Sequence, residues 1–271
     1  MAKLQRVSEV SVFTKNQKLA KEFYTKKLGL KVRSEMKNMD YLQLGATKGG
    51  EDAGIDLWQP DPKWGSEMYE QNLKSVGIVT GIGLQTSNLA KTVEQLASRG
   101  VKIEKDSETF ARVRDPDGNV LFVNQEPRAK AKRVGLQSVA WVTVAVRDEA
   151  KAAAFFKTLG FRGRKVRGDS NEEGQTMTIY TLGGKGTAVM PFAPRREMYE
   201  NPADYDTDMA HVGEDTGIGI EVDDAFKVQE KLKAAGVTIS APAEKQDWGG
   251  VRMRIKDPDG NQYMLYHMER R

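Results

Sequence analysis

The chain has 271 residues, 39% of them hydrophobic and 30% charged, with 42 basic against 38 acidic side chains and no cysteine. That length leaves room for two domains, each with a real core, and the lack of cysteine excludes disulfides, thiolate nucleophiles and Cys-ligated metals. No apolar run approaches the roughly 18 residues of a spanning helix, and the opening Met1-Ala2-Lys3-Leu4-Gln5-Arg6 lacks the apolar core of a signal peptide, so a cytoplasmic protein is expected.

One pattern repeats four times along the chain. A strand-like run at residues 7–13 is followed by helically spaced Leu19, Phe23 and Leu28 and then by Gly29, with further strand runs at 41–44 and 55–58. The second copy has a strand run at 81–86, then Leu89, Val93 and Leu96, then Gly100. The third has strand runs at 139–146, 176–182 and 187–192 around Ala152, Phe156, Leu159 and Gly160, and the fourth a run at 217–222 before Phe226, Leu232 and Gly236. Glycine just past each amphipathic run is a helix-stop signal, so each copy reads β-α-β-β-β and the chain is a fourfold repeat. The first copy resembles the third and the second resembles the fourth. This gives two homologous halves, residues 1–126 and 134–271, joined by a basic, solvated linker at 127–133 that carries no aromatic residues for base stacking.

The second copy of each half contains the same pentapeptide, Asp115-Pro116-Asp117-Gly118-Asn119 and Asp257-Pro258-Asp259-Gly260-Asn261, between two strand-like runs. Proline presets φ, aspartate bonds back to nearby amides and glycine supplies positive φ, so each pentapeptide reads as a tight corner between strands. Gly81-Ile82-Gly83 lacks the third glycine of a nucleotide fingerprint and is read as a strand whose glycines allow close backbone approach.

Four β-α-β-β-β units, the pairs Phe23-Tyr24 and Phe155-Phe156 near the ends of the odd-numbered helices, and the two DPDGN corners together resemble the vicinal oxygen chelate superfamily of glyoxalases, bleomycin-resistance proteins and extradiol dioxygenases. The resemblance implies an α+β fold of two tandem domains with cupped, barrel-like mixed sheets and helices outside. It also implies metal-ligand positions on the first and last strand of each unit. Carried across, these fall on Glu9 and Asp56, Gly81 and Phe122, Trp141 and Met190, and Gly217 and Met264. Only the first pair can hold a metal ion. The expectation is therefore no metal and no other cofactor, with a divalent ion at Glu9 and Asp56 as the alternative.

Strand parity places Trp58 with Asp56, Phe192 with Met190 and Tyr266 with Met264. With Phe122 and Trp141 these rings and thioethers make a lining for a small organic ligand, unless they collapse on one another. Arg112 and Arg114, and Arg252, Arg254 and Lys256, alternate onto single faces that favour an anionic ligand if they line the cups. His211 and His267 fall at no ligand position and read as surface or packing residues, His211 lying in a loop long enough to fold over a cup. The loops at 59–79 and 193–215 share Glu-Met-Tyr-Glu, which makes them either lids closed by Tyr69 or Tyr199 or short helices sealing a sheet rim.

The function expected is a monomeric or dimeric, metal-free binder of a small organic molecule, such as a toxic compound or antibiotic, with no nucleic-acid or membrane partner. One alternative is a lyase, isomerase or dioxygenase acting through Glu9 and Asp56 as catalytic carboxylates. The other is a scaffold whose cups are filled.

Overall fold

The computed structural model describes residues 2–36, 40–77, 81–126, 133–167, 176–199 and 201–269. All but the last residue of the linker read at 127–133 lies outside them. Among these residues sixteen strands form: β1 (Leu4–Phe13), β2 (Lys31–Met36), β3 (Tyr41–Gly45), β4 (Gly54–Trp58), β5 (Ile82–Thr86), β6 (Ile103–Lys105), β7 (Phe110–Arg114), β8 (Val120–Gln125), β9 (Ser138–Ala145), β10 (Arg162–Arg167), β11 (Thr176–Thr181), β12 (Ala188–Phe192), β13 (Asp215–Val222), β14 (Thr238–Lys245), β15 (Gly250–Lys256) and β16 (Gln262–Met268). The helices are α1 (Gln17–Glu22), extended by a π turn at Phe23–Lys27, α2 (Ser66–Lys74), α3 (Leu89–Ser98), α4 (Glu149–Thr158), α5 (Pro202–Ala210) and α6 (Ala225–Ala234). None is long and apolar enough to cross a membrane.

The fourfold β-α-β-β-β reading holds, and the glycines end the helices as expected. Gly100, at φ +73°, donates to the Ala97 carbonyl while Val101 donates to Leu96, the paired bonds of a Schellman stop; Gly160 and Gly236 repeat the arrangement. The first helix differs. Leu28 donates to Phe23 five residues back, so the helix widens by one residue before Gly29 ends it.

Hydrogen bonding orders the strands β14-β15-β16-β13-β1-β4-β3-β2 in one sheet and β10-β11-β12-β9-β5-β8-β7-β6 in the other. Both are open, mixed sheets rather than closed barrels, and they do not follow the sequence halves. The first repeat shares a sheet with the fourth, and the second with the third. By compactness the chain divides into two units, one holding the described residues of 2–8 and 143–269, the other those of 9–142, with the boundaries inside β1 and β9.

In the unit of residues 9–142, α1 packs on β4, and α3 on β6 and β8. Val10, Val12, Leu42, Leu44, Ile55 and Leu57 are buried to 2% exposure or less. In the other unit α4 packs against β10 and β12, and α6 against β14, β15 and β16, over a core that includes Phe156, Ile220, Leu232, Met253 and Leu265. Two residues expected on apolar helix faces stand in solvent instead, Leu19 at 55% exposure and Phe226 at 44%, and on α3 the buried side chain is Thr92 rather than Val93. The Thr92 hydroxyl bonds that of Thr86 at 2.8 Å, so a satisfied polar pair takes the buried place.

The DPDGN corners are more than turns. The buried Asp115 carboxylate accepts from the backbone N–H groups of Asp117 and Asn119, each at 2.9 Å, from Asn119 Nδ2 at 2.8 Å and from the Tyr24 hydroxyl at 3.1 Å. Asp117 bonds the Thr14 hydroxyl, and Asn119 Nδ2 also reaches the Phe13 carbonyl at 3.5 Å. Burial pushes the Asp115 carboxyl above its ordinary pKa, with the Asn119 and Asp117 bonds pulling back. Removing that acceptor orphans several buried donors, so Asp115→Ala is expected to cost about 2–4 kcal/mol. Tyr24→Phe, which loses one bond, is expected to cost about 1 kcal/mol. Urea unfolding monitored by circular dichroism measures both, and equal costs would show that the tyrosine bond alone carries the corner.

Candidate functional site

In the 9–142 unit, β1 and β4 run parallel with Glu9 opposite Gly54, Ser11 opposite Asp56 and Phe13 opposite Trp58, while β3 sets Gln43 opposite Asp56. Val10, Val12, Ile55 and Leu57 take the core side, so alternation turns Glu9, Ser11, Phe13, Gly54, Asp56 and Trp58 to the other face. Glu9 and Asp56 are diagonal neighbours there, the separation at which long side chains meet. Glu9 is 7% exposed and Asp56 1%.

Neither carboxylate oxygen of Asp56 receives a well-aligned hydrogen bond among the described residues. Burial first, and the charge of Glu9 second, raise its pKa well above the ordinary carboxylate range, with Gln43 and Tyr41 near enough to oppose the shift in part. A buried acid beside a second acid keeps its proton to higher pH, and the two can share one. The ring of Trp58 lies 5.4 Å from Tyr41 and 6.1 Å from Trp64, so an aromatic wall adjoins the acids.

The second aromatic cluster lies on β7, β8, β5 and β9 of the same unit. Phe110 stacks on Phe122 at 5.5 Å and Phe122 on Trp141 at 5.4 Å, with planes inclined at 27° and 33°, and all three rings are half-buried. Trp141 lies flat over Gly83, its register partner, where an added Cβ would fall 2.0 Å from the indole. Gly83 thus makes room for a ring rather than for a neighbouring backbone.

Phe122 and Trp141 are therefore brought together, and Trp58 sits on the face of Asp56 as parity placed it. Tyr266 lies on β16 in the other unit, with Trp248 edge-on at 6.1 Å. Met264 is half-buried on the same strand, Met190 is buried on β12, and half-buried Phe192 makes no ring contact among the described residues. Gly81 directly precedes β5, and Gly217 lies within β13. The residues missed were Tyr41, Gln43, Phe110 and Trp248. Parity could have found Phe110, two residues before Arg112, but Trp248 sits in a turn that no periodicity marks.

The arginine faces prove to be mostly ion-paired. Arg112 bonds Asp106 at 2.6 Å, and Arg114 has Glu104 at 3.8 Å. His211 bonds Glu214 at 2.8 Å, and His267 Nδ1 accepts from the Ala225 N–H at 2.9 Å, which makes it a helix cap. The repeated Glu-Met-Tyr-Glu serves two different structures: Tyr69 lies within α2, whereas Tyr199 follows a 3-10 turn at Arg196–Met198 and bonds Asp208. Neither α2 nor α5 fully buries a side chain.

The donor set does not fit the metal site that the fold family implies. Phe122, Trp141, Met190 and Met264 offer no hard donor, and among the described residues no three His, Cys, Asp or Glu side chains converge.

The folded protein keeps a proton on Asp56 at pH values where the unfolded chain has lost it, so the native state binds more protons there. The group's contribution to stability therefore falls as pH rises from the ordinary carboxylate value toward the raised one. Asp56→Asn, which removes the charge and keeps the shape, is expected to raise stability by about 1 kcal/mol or more near pH 7 and to change it little near pH 4. Denaturant midpoints at the two pH values check this, and an identical change at both would contradict the shift.

A family model described as the Glyoxalase/Bleomycin resistance protein/Dioxygenase superfamily matches residues 6–123 and 138–265. Among solved structures, glyoxalase I from Zea mays is 17% identical with a TM-score of 0.65, over 97% of this chain and 92% of its own. A Bacillus subtilis protein provisionally assigned as a dioxygenase is 12% identical with a TM-score of 0.63, over 100% of this chain and 87% of its own. An antibiotic-binding protein from Streptomyces sp. CB03234 is 27% identical over 44% of this chain and 93% of its own, with a TM-score of 0.36. No curated protein matches at a significant level. Two matched segments that span most of the sequence, on strands and corners of the expected order, establish that the chain belongs to the glyoxalase/bleomycin resistance protein/dioxygenase superfamily.

Proposed function

We propose that this protein binds a small, planar organic molecule without a metal ion, in the manner of proteins that hold a toxic compound or antibiotic out of circulation. The observation that carries the reading is the half-buried row Phe110, Phe122 and Trp141. Flat rings offer a ligand dispersion and stacking at little cost in side-chain entropy. Covering roughly 100 Å² of apolar surface there contributes about 2.5 kcal/mol. The fold hosts catalysis and plain binding alike, so the reading rests on these side chains rather than on fold membership.

A second reading is favoured by one observation, the raised pKa of Asp56 beside Glu9. A protonated carboxyl next to an ionisable one can donate and accept a proton in turn, as a lyase or isomerase needs. Under this reading Asp56→Asn abolishes turnover and leaves binding on the Trp141 face in place.

Native mass spectrometry and elemental analysis of protein purified without chelator separate the two. A bound organic molecule without stoichiometric metal is expected, and Trp141→Ala is expected to weaken its rebinding about tenfold or more while chelator leaves affinity unchanged. One equivalent of Mn, Fe, Ni, Zn or Co per chain that disappears in the Glu9→Ala, Asp56→Ala variant would overturn the metal-free reading.

A further inference from the structure

On the unit of residues 2–8 and 143–269, β15 and β16 pair with Gly250 opposite Met268, Arg252 opposite Tyr266 and Arg254 opposite Met264. Val251, Met253, Ile255 and Leu265 are fully buried on the core side, so Arg252, Arg254 and Tyr266 share the opposite face. Trp248 folds back onto that face, lying so close over Gly250 that an added Cβ there would fall 1.7 Å from its ring, and meets Tyr266 edge-on at 6.1 Å. A two-ring surface therefore stands beside the arginines.

The two arginines are not equivalent. Arg254 is committed to Asp215, Nη1 to Oδ2 at 2.6 Å. Arg252 is half-buried, and among the described residues it has no hydrogen bond or ion pair. Two acids act on its charge: Glu244, opposite it in the β14 pairing, and Asp215, already paired with Arg254. Burial, and then the charge of Arg254, pull its pKa down from the ordinary guanidinium value, and Glu244 and Asp215 oppose the shift only in part. Taking a charge partly out of water is unfavourable unless a partner restores the lost interactions.

We propose that this face is a binding site for a small aromatic carboxylate, its carboxylate received by Arg252 and its ring by Tyr266 and Trp248. A guanidinium takes a carboxylate through two parallel N–H···O bonds, and a planar ring suits the aromatic pair. With Arg254 neutralised by Asp215 and Glu244 exposed to solvent, Arg252 offers one positive charge, so a monoanion is preferred to a phosphate dianion. The site extends the small-molecule reading to the second unit. It is separable from that reading because its marker is Arg252 rather than Trp141.

The test is isothermal titration of the full chain with 2-naphthoate, and with 2-naphthamide as its neutral isostere. Saturable binding of naphthoate is expected, about tenfold or more tighter than naphthamide, with a loss of similar size in Arg252→Ala and a smaller one in Arg252→Lys. Loss of the Trp141 row weakens naphthoate and naphthamide alike, whereas loss of this site removes the preference for naphthoate, so failure here and failure of the Trp141 reading are told apart. Because an uncompensated charge is removed, Arg252→Ala is also expected to melt no lower than the parent in the absence of naphthoate. Equal affinity for naphthoate and naphthamide, an unaltered affinity in Arg252→Ala, no saturable binding, or tighter binding of 2-naphthyl phosphate would each overturn the proposal.

Discussion

The aspartate that opens each DPDGN corner is the constraint on which the rest of the structure depends. Asp115 and Asp257 are buried carboxylates that gather two backbone N–H groups, one asparagine amide and one tyrosine hydroxyl each. Around them the corner grips the end of a distant strand: Asn119 reaches the carbonyl of Phe13 at the end of β1, and Asn261 that of Ala145 at the end of β9, at 3.0 Å. Asp259 accepts from the Arg147 N–H at 2.8 Å, the place that Thr14 and Asp117 hold in the other unit. A corner between consecutive strands thereby fixes strands more than a hundred residues away, and with them the faces on which Glu9, Trp141 and their neighbours lie.

The tyrosine that completes each corner comes from a different element. Tyr24 reaches Asp115 from the turn that ends the first helix, whereas Tyr263 reaches Asp257 from β16. The places exchange: Phe156 stands in the third repeat where Tyr24 stands in the first, and Leu121 in the second where Tyr263 stands in the fourth. Both tyrosines are fully buried with their pKa values raised well above the ordinary phenol value, by burial first and the corner aspartate second. Each corner therefore has one hydroxyl donor, and the opposing position is apolar. A second hydroxyl would have to bury a polar group beside an acceptor already well satisfied.

Much of this was legible in the sequence, because periodicity and turn chemistry are local. The glycine stops, the order of strands within each repeat and the two corners all follow from a few neighbouring residues. Sheet membership is not local, and the joining of the first repeat to the fourth left no mark in any single repeat. The same division holds for the side chains. Parity put Asp56 with Trp58, but nothing in the sequence told a strand glycine that accommodates a ring, as Gly83 does for Trp141, from one that admits a backbone. His267 carried no signal that it caps α6, since its partner Ala225 lies 42 residues away.

The first and fourth repeats carry opposite charge at polar positions drawn from water, a buried acid on β4 and a half-buried cation on β15. Among the described residues Asp56 is an acid sealed from water without an aligned donor, and Arg252 a half-buried cation without an acceptor. Each arrangement costs stability that an apolar residue of similar volume would not. The structural polar groups of the same chain behave differently: Asp115, Asp257, Thr92 and the Arg33–Asp52 ion pair, whose side chains are 8% and 9% exposed, all find partners within the protein. Buried Asn119 Oδ1 and Asn124 Oδ1 also lack a partner among the described residues, so a single orphaned atom marks no site; at Asp56 both carboxylate oxygens are orphaned beside a second acid, and strain of that kind gathers where a ligand or a proton completes the arrangement.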